Sequence, residues 1–369
     1  MARPAGVTLC ALVSCAVLAG CGARSSLLFG EGGEGGDGTN PAGVAAATSG
    51  GAGGGGSAAC PVEAFEGSVV GAVRLELDTT HAYWTTRENQ LQRGDLQTGE
   101  VQSLASLTTV DAALALAGPW LYFADGQRIA RVSKEGGDVE VLATGAFVPM
   151  DLAVRGETVY FLDRGSGIYA GTLYVWTAAQ GLVSLLGGLE QARAIGVDEA
   201  HIYLIAGGLL AGDGVVPSPL LRMPRSGAPV EVLADEQTSS FGLELDDDEV
   251  YWGTVAYEDP GPVPRLFALA KGRGEVRVVA TFEARLPVAF ALGATSAYVT
   301  MPFFPLGEPT YSKLLRAPLD GGAPETVDQR ERHFFTEPVV KGNVVAWSVQ
   351  RNLDASGPLE DVLLRCDAR

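Results

Sequence analysis

Tyr122-Phe123-Ala124-Asp125, followed by Ile129-Ala130-Arg131-Val132, Gly136-Gly137 and Val139-Glu140-Val141-Leu142, is the stretch that decides the fold. Its apolar runs are short, rich in β-branched and aromatic residues, and separated by turn residues, so they read as strands. The same layout recurs on both sides of it. Second strands hold Tyr83-Trp84, Tyr122-Phe123, Tyr160-Phe161, Tyr203-Leu204, Tyr251-Trp252, Tyr298-Val299 and, more weakly, Ala346-Trp347. Successive tyrosines are 39, 38, 43, 48 and 47 residues apart. An alternating strand precedes each pair, and an apolar-x-Arg-apolar strand follows it, as in Leu221-Arg222-Met223 before Gly227 and Leu315-Arg316-Ala317 before Gly321-Gly322. Four short strands per unit of about 40 residues, seven units and no helical period predict an all-β, seven-bladed β-propeller of four-stranded antiparallel blades.

Tyr83-Trp84-Thr85-Thr86 and Tyr122-Phe123-Ala124-Asp125, each followed by a strand and a Gly-containing turn, resemble the YWTD repeats of the low-density-lipoprotein-receptor type propeller. The resemblance spans residues 73–369, with the motif's final Asp present only at Asp125 and Asp163. That family has six blades and this chain seven repeats. What the resemblance implies here is the blade, not the family's protein partners.

The seventh repeat supplies strands near 338–341, 344–350 and 362–367, and then the chain stops one strand short. Residues 61–72 precede the first repeat and are expected to provide that strand, so that both chain ends share the last blade and no ring edge stays open. Cys60 borders the first of these segments and Cys366 lies in the other. In an exported protein such a pair is expected to form a disulfide; two unpaired thiols are the alternative.

Export is read from residues 1–20. Arg3 precedes an apolar stretch from about Val7 to Leu18, too short to span a bilayer and ending in Leu18-Ala19-Gly20-Cys21. These four residues resemble the bacterial lipobox, which implies lipidation of Cys21; a plain cleaved signal with a chance cysteine is the alternative. Gly22 is not the Asp that retains such proteins at the inner membrane, so the outer membrane is the expected destination. Residues 21–59 then form a tether, with 14 Gly in the 38 positions after Cys21. Such a chain lacks the apolar surface to fold and spans roughly 35 Å on average. The propeller domain is expected at 60–369, with the lipid as its sole membrane contact and no second copy required.

The formal net charge of −18 repels phosphate backbones, which argues against nucleic acid as a partner. No cofactor or metal is expected. His81 and His201 precede their tyrosines at equivalent turns, His333 stands alone between Asp328 and Phe335, and Asp246-Asp247-Asp248-Glu249 lacks the spacing of a calcium loop. Nothing presents a nucleophile, a base and an orienting group together.

Loop length is more informative. Connections between second and third strands lengthen from the third repeat on, at 163–171, 206–219, 255–264, 301–312 and 350–360. In propeller topology these share a face with the connections between blades. Insertions gathered on one face of a repeat array mark a binding surface or tolerated variation. The candidates are Tyr257, Glu258, Asp259, Phe303, Phe304, Tyr311 and Arg351, with Arg285, Arg332 and His333 from the connections. The expected function is non-enzymatic binding of an envelope protein, peptide or glycan through this face. The rivals are a hydrolase or lyase with a site at the channel mouth, drawing on Asp111, Asp151, Arg193, Arg285 and His333, and a purely structural scaffold.

Overall fold

The computed structural model describes residues 63–65 and 72–367, except 111, 127, 146, 166–170, 190–191, 207–209, 212–213, 216–217, 236–239, 259–260, 273, 283–288, 304–310 and 352–361. The signal, Cys21, the tether and Cys60 lie outside the described residues. So do Asp111, Asp259, Arg285 and Phe304, and the side chains of Tyr257, Glu258, Phe303 and Arg351.

Seven antiparallel sheets follow one another along the chain at 72–106, 113–144, 149–189, 194–234, 241–281, 289–331 and 333–367. In the first six, four strands lie side by side in chain order, and blade four adds a small hairpin, Leu210–Ala211 against Gly214–Val215. The described residues contain no helix. The chain is a seven-bladed β-propeller.

The aromatic pairs hold the ring together. Neighbouring residues of a strand point to opposite faces, and here both faces are buried between blades. Tyr83 of blade one packs with Leu114 and Phe123 of blade two, and Tyr122 of blade two with Leu152 and Phe161 of blade three. Tyr203 meets Val250 and Trp252 in the same way, and Tyr298 meets Val345 and Trp347. The tyrosine thus faces the next blade and the residue after it faces the previous one. Trp84, Trp252, Trp347, Tyr83, Tyr122, Tyr203 and Tyr298 are all less than 2% exposed, which explains why each repeat carries a large aromatic at one or both of these two positions.

Closure follows the expected route. Glu63–Ala64 pairs with the outer strand Val362–Asp367, Glu63 opposite Arg365 and Ala64 opposite Leu364. The next residue, Phe65, sets its ring edge-on to Trp84 of blade one, with centroids 6.2 Å apart. Inside the ring, Arg74 of blade one and Glu337, which precedes the inner strand Val339–Lys341 of blade seven, form a buried ion pair at 3.5 Å.

Two expectations change. Residues 255–264 are not a loop but the tip of a long hairpin, Glu249–Glu258 paired with Gly261–Ala270 out to Glu258 opposite Gly261. Pro262 and Pro264 lie in the outer half of this hairpin. The outer neighbour Arg277–Thr281 pairs only from Arg265 onward, so these prolines sit where no neighbouring strand needs their missing N–H. Likewise, Asp328 and His333 are not in a connection. Asp328 belongs to the strand Glu325–Glu331, and His333–Phe335 pairs with the strand Val344–Arg351, leaving Arg332 as the crossing point between blades six and seven.

Candidate binding face

Antiparallel order divides the ring into two faces. Turns between first and second strands, and between third and fourth, lie on one; turns between second and third strands and the connections between blades lie on the other, the hairpin face. The hairpin face is the elaborated one. Blade five carries its ten-residue strands there, and blade six pairs Ser296–Phe303 with Tyr311–Pro318 out to Phe303 opposite Tyr311. Blade seven extends to Arg351.

The structure gathers part of the candidate set at blades six and seven. Tyr311 is half-buried, with Lys313 Nζ 5.6 Å from its ring centroid. Its neighbour Ser312 donates from Oγ to the His333 carbonyl at 2.8 Å. His333 Nδ1 donates to the Glu331 carbonyl at 2.6 Å, which fixes the proton on that nitrogen. Arg351 is the cross-strand partner of His333. Arg332, which precedes His333 in the chain, is exposed and has φ 58°. Tyr257 and Glu258 belong to the blade five hairpin and are not part of this group. Sequence reasoning missed Arg87, whose Nη2 donates to Gln350 Oε1 at 2.6 Å while Gln350 Nε2 donates to the Ala72 carbonyl at 2.5 Å. Its turn in blade one is short, so loop length gave no sign of it.

The channel arranges its charges differently. A cavity of about 250 Å³ is lined by inner strands of blades one to five, with Glu76, Asp151 and Glu244 among its residues and neither Arg193 nor His333. Asp151 is 3% exposed, and its Oδ2 accepts the Ile195 N–H at 2.9 Å, tying blade three to blade four. Arg193 is buried, and its N–H donates to the Ile205 carbonyl at 2.9 Å. Of the groups proposed for a catalytic mouth, Asp151 and Arg193 are buried in blades three and four, His333 stands at the start of blade seven, and Asp111 and Arg285 lie outside the described residues. No cluster of three or more potential metal ligands occurs among them either.

On the opposite face a turn device repeats. Asp78, Asp198 and Asp246 each accept two backbone N–H groups of the first turn and, through Oδ2, the hydroxyl of the tyrosine five residues later, Tyr83, Tyr203 and Tyr251. For Asp78, burial raises the carboxyl, but the N–H groups of Thr80 and His81 with Lys134 and Tyr83 outweigh it and hold the carboxyl well below its usual range. Burial and the Asp198 charge push Tyr203 up to about 12. The acidic run at 246–249 is thus a structural turn, with Asp246 as its cap. Asp125 and Asp163 brace the hairpin face instead, Oδ2 of the first accepting the Thr108 N–H at 3.1 Å and Oδ1 of the second the Val148 N–H at 2.7 Å.

No protein-family model matches the chain, and no curated protein does. Solved structures are similar to it in shape. The AfRom2 CNH domain aligns with a TM-score of 0.55 at 10% identity over 84% of this chain and 100% of that one. Hydrazine synthase from Kuenenia stuttgartiensis aligns at 0.54 and 12% over 75% and 94%. An oligogalacturonate lyase in complex with manganese aligns at 0.52 and 10% over 78% and 85%. At these identities the likeness establishes the propeller fold alone.

Proposed function

We propose that the chain is a lipid-anchored propeller of the cell envelope that binds a protein, peptide or glycan through the hairpin face, without catalysis. The observation that carries this reading is the opposed placement of entry and elaboration. Glu63–Ala64 runs antiparallel to the outer strand of blade seven, so the chain enters the ring from the turn face, while the long hairpins of blades five and six rise on the other. A tether ending in a lipid at Cys21 leaves the hairpin face turned away from its membrane. The lipobox-like residues 18–21 support the outer membrane as the site of anchoring, and the YWTD-like aromatic pairs support the blade architecture.

Closure is covalent as well as strand-paired in this reading. Cys366 is 3% exposed in the blade seven core, and the pairing of Glu63 with Arg365, three residues after Cys60 and one before Cys366, supports a disulfide between the two chain ends. We assign Cys60 as its partner.

Labelled palmitate fed to the expressing cell tests the anchor: incorporation is expected in the full chain and lost in Cys21→Ala. Capture from envelope extracts tests the face. A partner retained by the intact chain and lost when the hairpins of blades five and six are shortened supports it, and a partner indifferent to them refutes it. The channel cavity favours a second reading, a hydrolase or lyase, because three carboxylates line it and one similar fold is a lyase. Turnover of an envelope polymer that disappears in Asp151→Asn, with the fold retained, would support that alternative.

A further inference from the structure

The outer strand of blade three, Gly181–Leu189, is nine residues long and carries no charged residue. It is the edge of its sheet, and no described strand pairs with its outer side. Such an edge offers a row of main-chain N–H and C=O groups to another chain, and charged side chains ordinarily guard it. Elsewhere in the ring they do. Across from the tyrosine of the second strand, blades two, four and six set Arg131 opposite Glu140, Arg222 opposite Glu231 and Arg316 opposite Glu325. At the same register blade three has Val175 opposite Val183, and Val183 is 41% exposed. Val141, Val232 and Val278 are exposed as well, but each follows a charged residue engaged across the sheet, Glu140 with Arg131, Glu231 with Arg222 and Arg277 with Glu249. Blade one's outer strand, Val101–Ser106, is uncharged but shorter, and its Gln102 and Ser103 hold Arg93 and Gln90. Blade seven's is covered by Glu63–Ala64. The bulge at Leu185 recurs in the outer strands of blades one to six and does not set this edge apart.

Gly187 is the second observation. At Gly94, Gly171, Gly196 and Gly253 a Cβ would meet a neighbour within 3 Å, so internal packing requires glycine there. A Cβ on Gly187 would meet only Thr172 Oγ1 at 4.0 Å, and its backbone is not left-handed. Nothing inside the blade calls for glycine, whereas an exposed glycine in a strand lets a second backbone come close from outside.

Charge decides what that backbone belongs to. Two copies of the chain would bring net charges of −18 together, and repulsion of that kind keeps a protein monomeric. An uncharged edge on so negative a molecule favours a segment that is aliphatic against Val183 and basic at its ends. We infer that Gly181–Leu189 receives an extended, basic-flanked peptide segment of a partner protein, added to blade three as a further antiparallel strand. Main-chain hydrogen bonds would carry the affinity and alternate side chains the selectivity. This site lies on the perimeter of the ring and does not rest on the hairpin face.

A fluorescent synthetic peptide as long as this strand, alternating valine and threonine with lysine at both ends, tests it against the full chain. Saturable binding by anisotropy is expected, with a loss of about tenfold or more in affinity for Val183→Lys, which alters only an exposed side chain. The double variant Val175→Arg, Val183→Glu rebuilds the pair of blades two and four without changing net charge, and is expected to lose binding equally. An unchanged thermal midpoint verifies the fold of both. The same peptide with its amide nitrogens methylated keeps its charge and side chains but cannot donate along a strand, and is expected not to bind. No binding, equal binding by the two variants, or equal binding of the methylated peptide each overturns the inference. A chain that sediments as a dimer, and as a monomer after Val183→Lys, overturns it in favour of a second copy as the occupant. Shortening the hairpins of blades five and six is expected to leave the peptide bound, so this site and the binding face fail separately.

Discussion

Lys134 of blade two places its ammonium 3.1 Å from Asp78 Oδ2 of blade one, on the carboxylate that also caps the blade one turn and takes the Tyr83 hydroxyl. Lys271 of blade five stands toward Asp198 of blade four in the same way, at 3.4 Å. The strand arginines add to these links, since Arg93 and Arg222, cross-strand partners of Tyr83 and Tyr203, donate to the carbonyls of Lys134 and Lys271. One side of the ring is thus held by a repeated polar clasp between blades, above the aromatic layer.

The clasp makes stability acid-sensitive. A carboxyl held below its usual range in the folded state binds its proton less readily than in the unfolded chain, so its contribution is full above about pH 4 and is lost as pH falls further. Asp78→Asn is expected to cost about 1 kcal/mol at pH 7 and to flatten the decline of stability below pH 4. Urea unfolding at pH 7 and pH 3 measures both; parallel losses in variant and parent would contradict the assignment.

Arg74 and Glu337 form a second link, this time across the ring's closing seam, and both side chains are 6% exposed. Removing one partner leaves the other charge buried with its closing-seam contact gone. Glu337→Ala is expected to cost about 3 kcal/mol, and the double variant Arg74→Leu, Glu337→Leu to recover much of that loss. A double-mutant cycle by chemical denaturation decides it, and strictly additive losses would mean that the two side chains act independently.

Blade number and closure were legible because they rest on local signals: a Tyr-aromatic pair that must face both ways between blades, and a missing strand at one chain end matched by a spare one at the other. The clasp was half legible. Asp78, Asp198 and Asp246 stand five residues before their tyrosines in the sequence, yet the lysines that reach Asp78 and Asp198 come from neighbouring blades, and no linear spacing encodes that distance. The hairpin of blade five was misjudged for the converse reason. Its prolines are tolerated only because the outer strand ends short of them, a fact of the assembled sheet. His333 was singled out, whereas Arg87 was not, since what brings Arg87 to blade seven is ring closure.

Phe65 gives the closing segment its apolar anchor. A Cβ on Gly94 would lie 2.6 Å from Phe65 Cζ and 2.8 Å from Trp84 Cη2, so glycine at 94 is what lets the ring lie flat on blade one. Gly94→Ala is expected to destabilise by about 1–3 kcal/mol and Phe65→Ala by about 3 kcal/mol. The two together should cost less than their sum, because the alanine at 94 has nothing left to displace. Thermal melts of the four proteins check this, and full additivity would show that Phe65 does not occupy that space.

The covalent half of closure predicts no reactive thiol from Cys60 or Cys366 in the denatured, unreduced protein. Cys60→Ser is expected to lower stability by up to about 5 kcal/mol, with reduction of the parent doing the same. Titration with a thiol reagent in guanidinium measures the first, and two reacting thiols would leave Cys60 unpaired.

The blade five hairpin separates binding from folding. Its base belongs to the core, with Val255 only 2% exposed and packed against blade six, while Ala256 and Val263 are the next paired residues outward. Replacing residues 257–262 by Asn-Gly keeps that register and supplies a turn suited to a two-residue hairpin. The change should therefore move stability by no more than about 1 kcal/mol, because the strand pairs below it and the inter-blade contacts of Val255 persist. If the hairpin face binds the envelope partner, the same change removes contacts made only in the complex, and capture should fall while the melting curve stays in place. A variant that melts normally and still captures its partner at the parental level would exclude the blade five tip from the interface. A variant that unfolds would show instead that the tip contributes to the blade itself, and shortening the blade six hairpin beyond Met301 would then be the decisive test of the face.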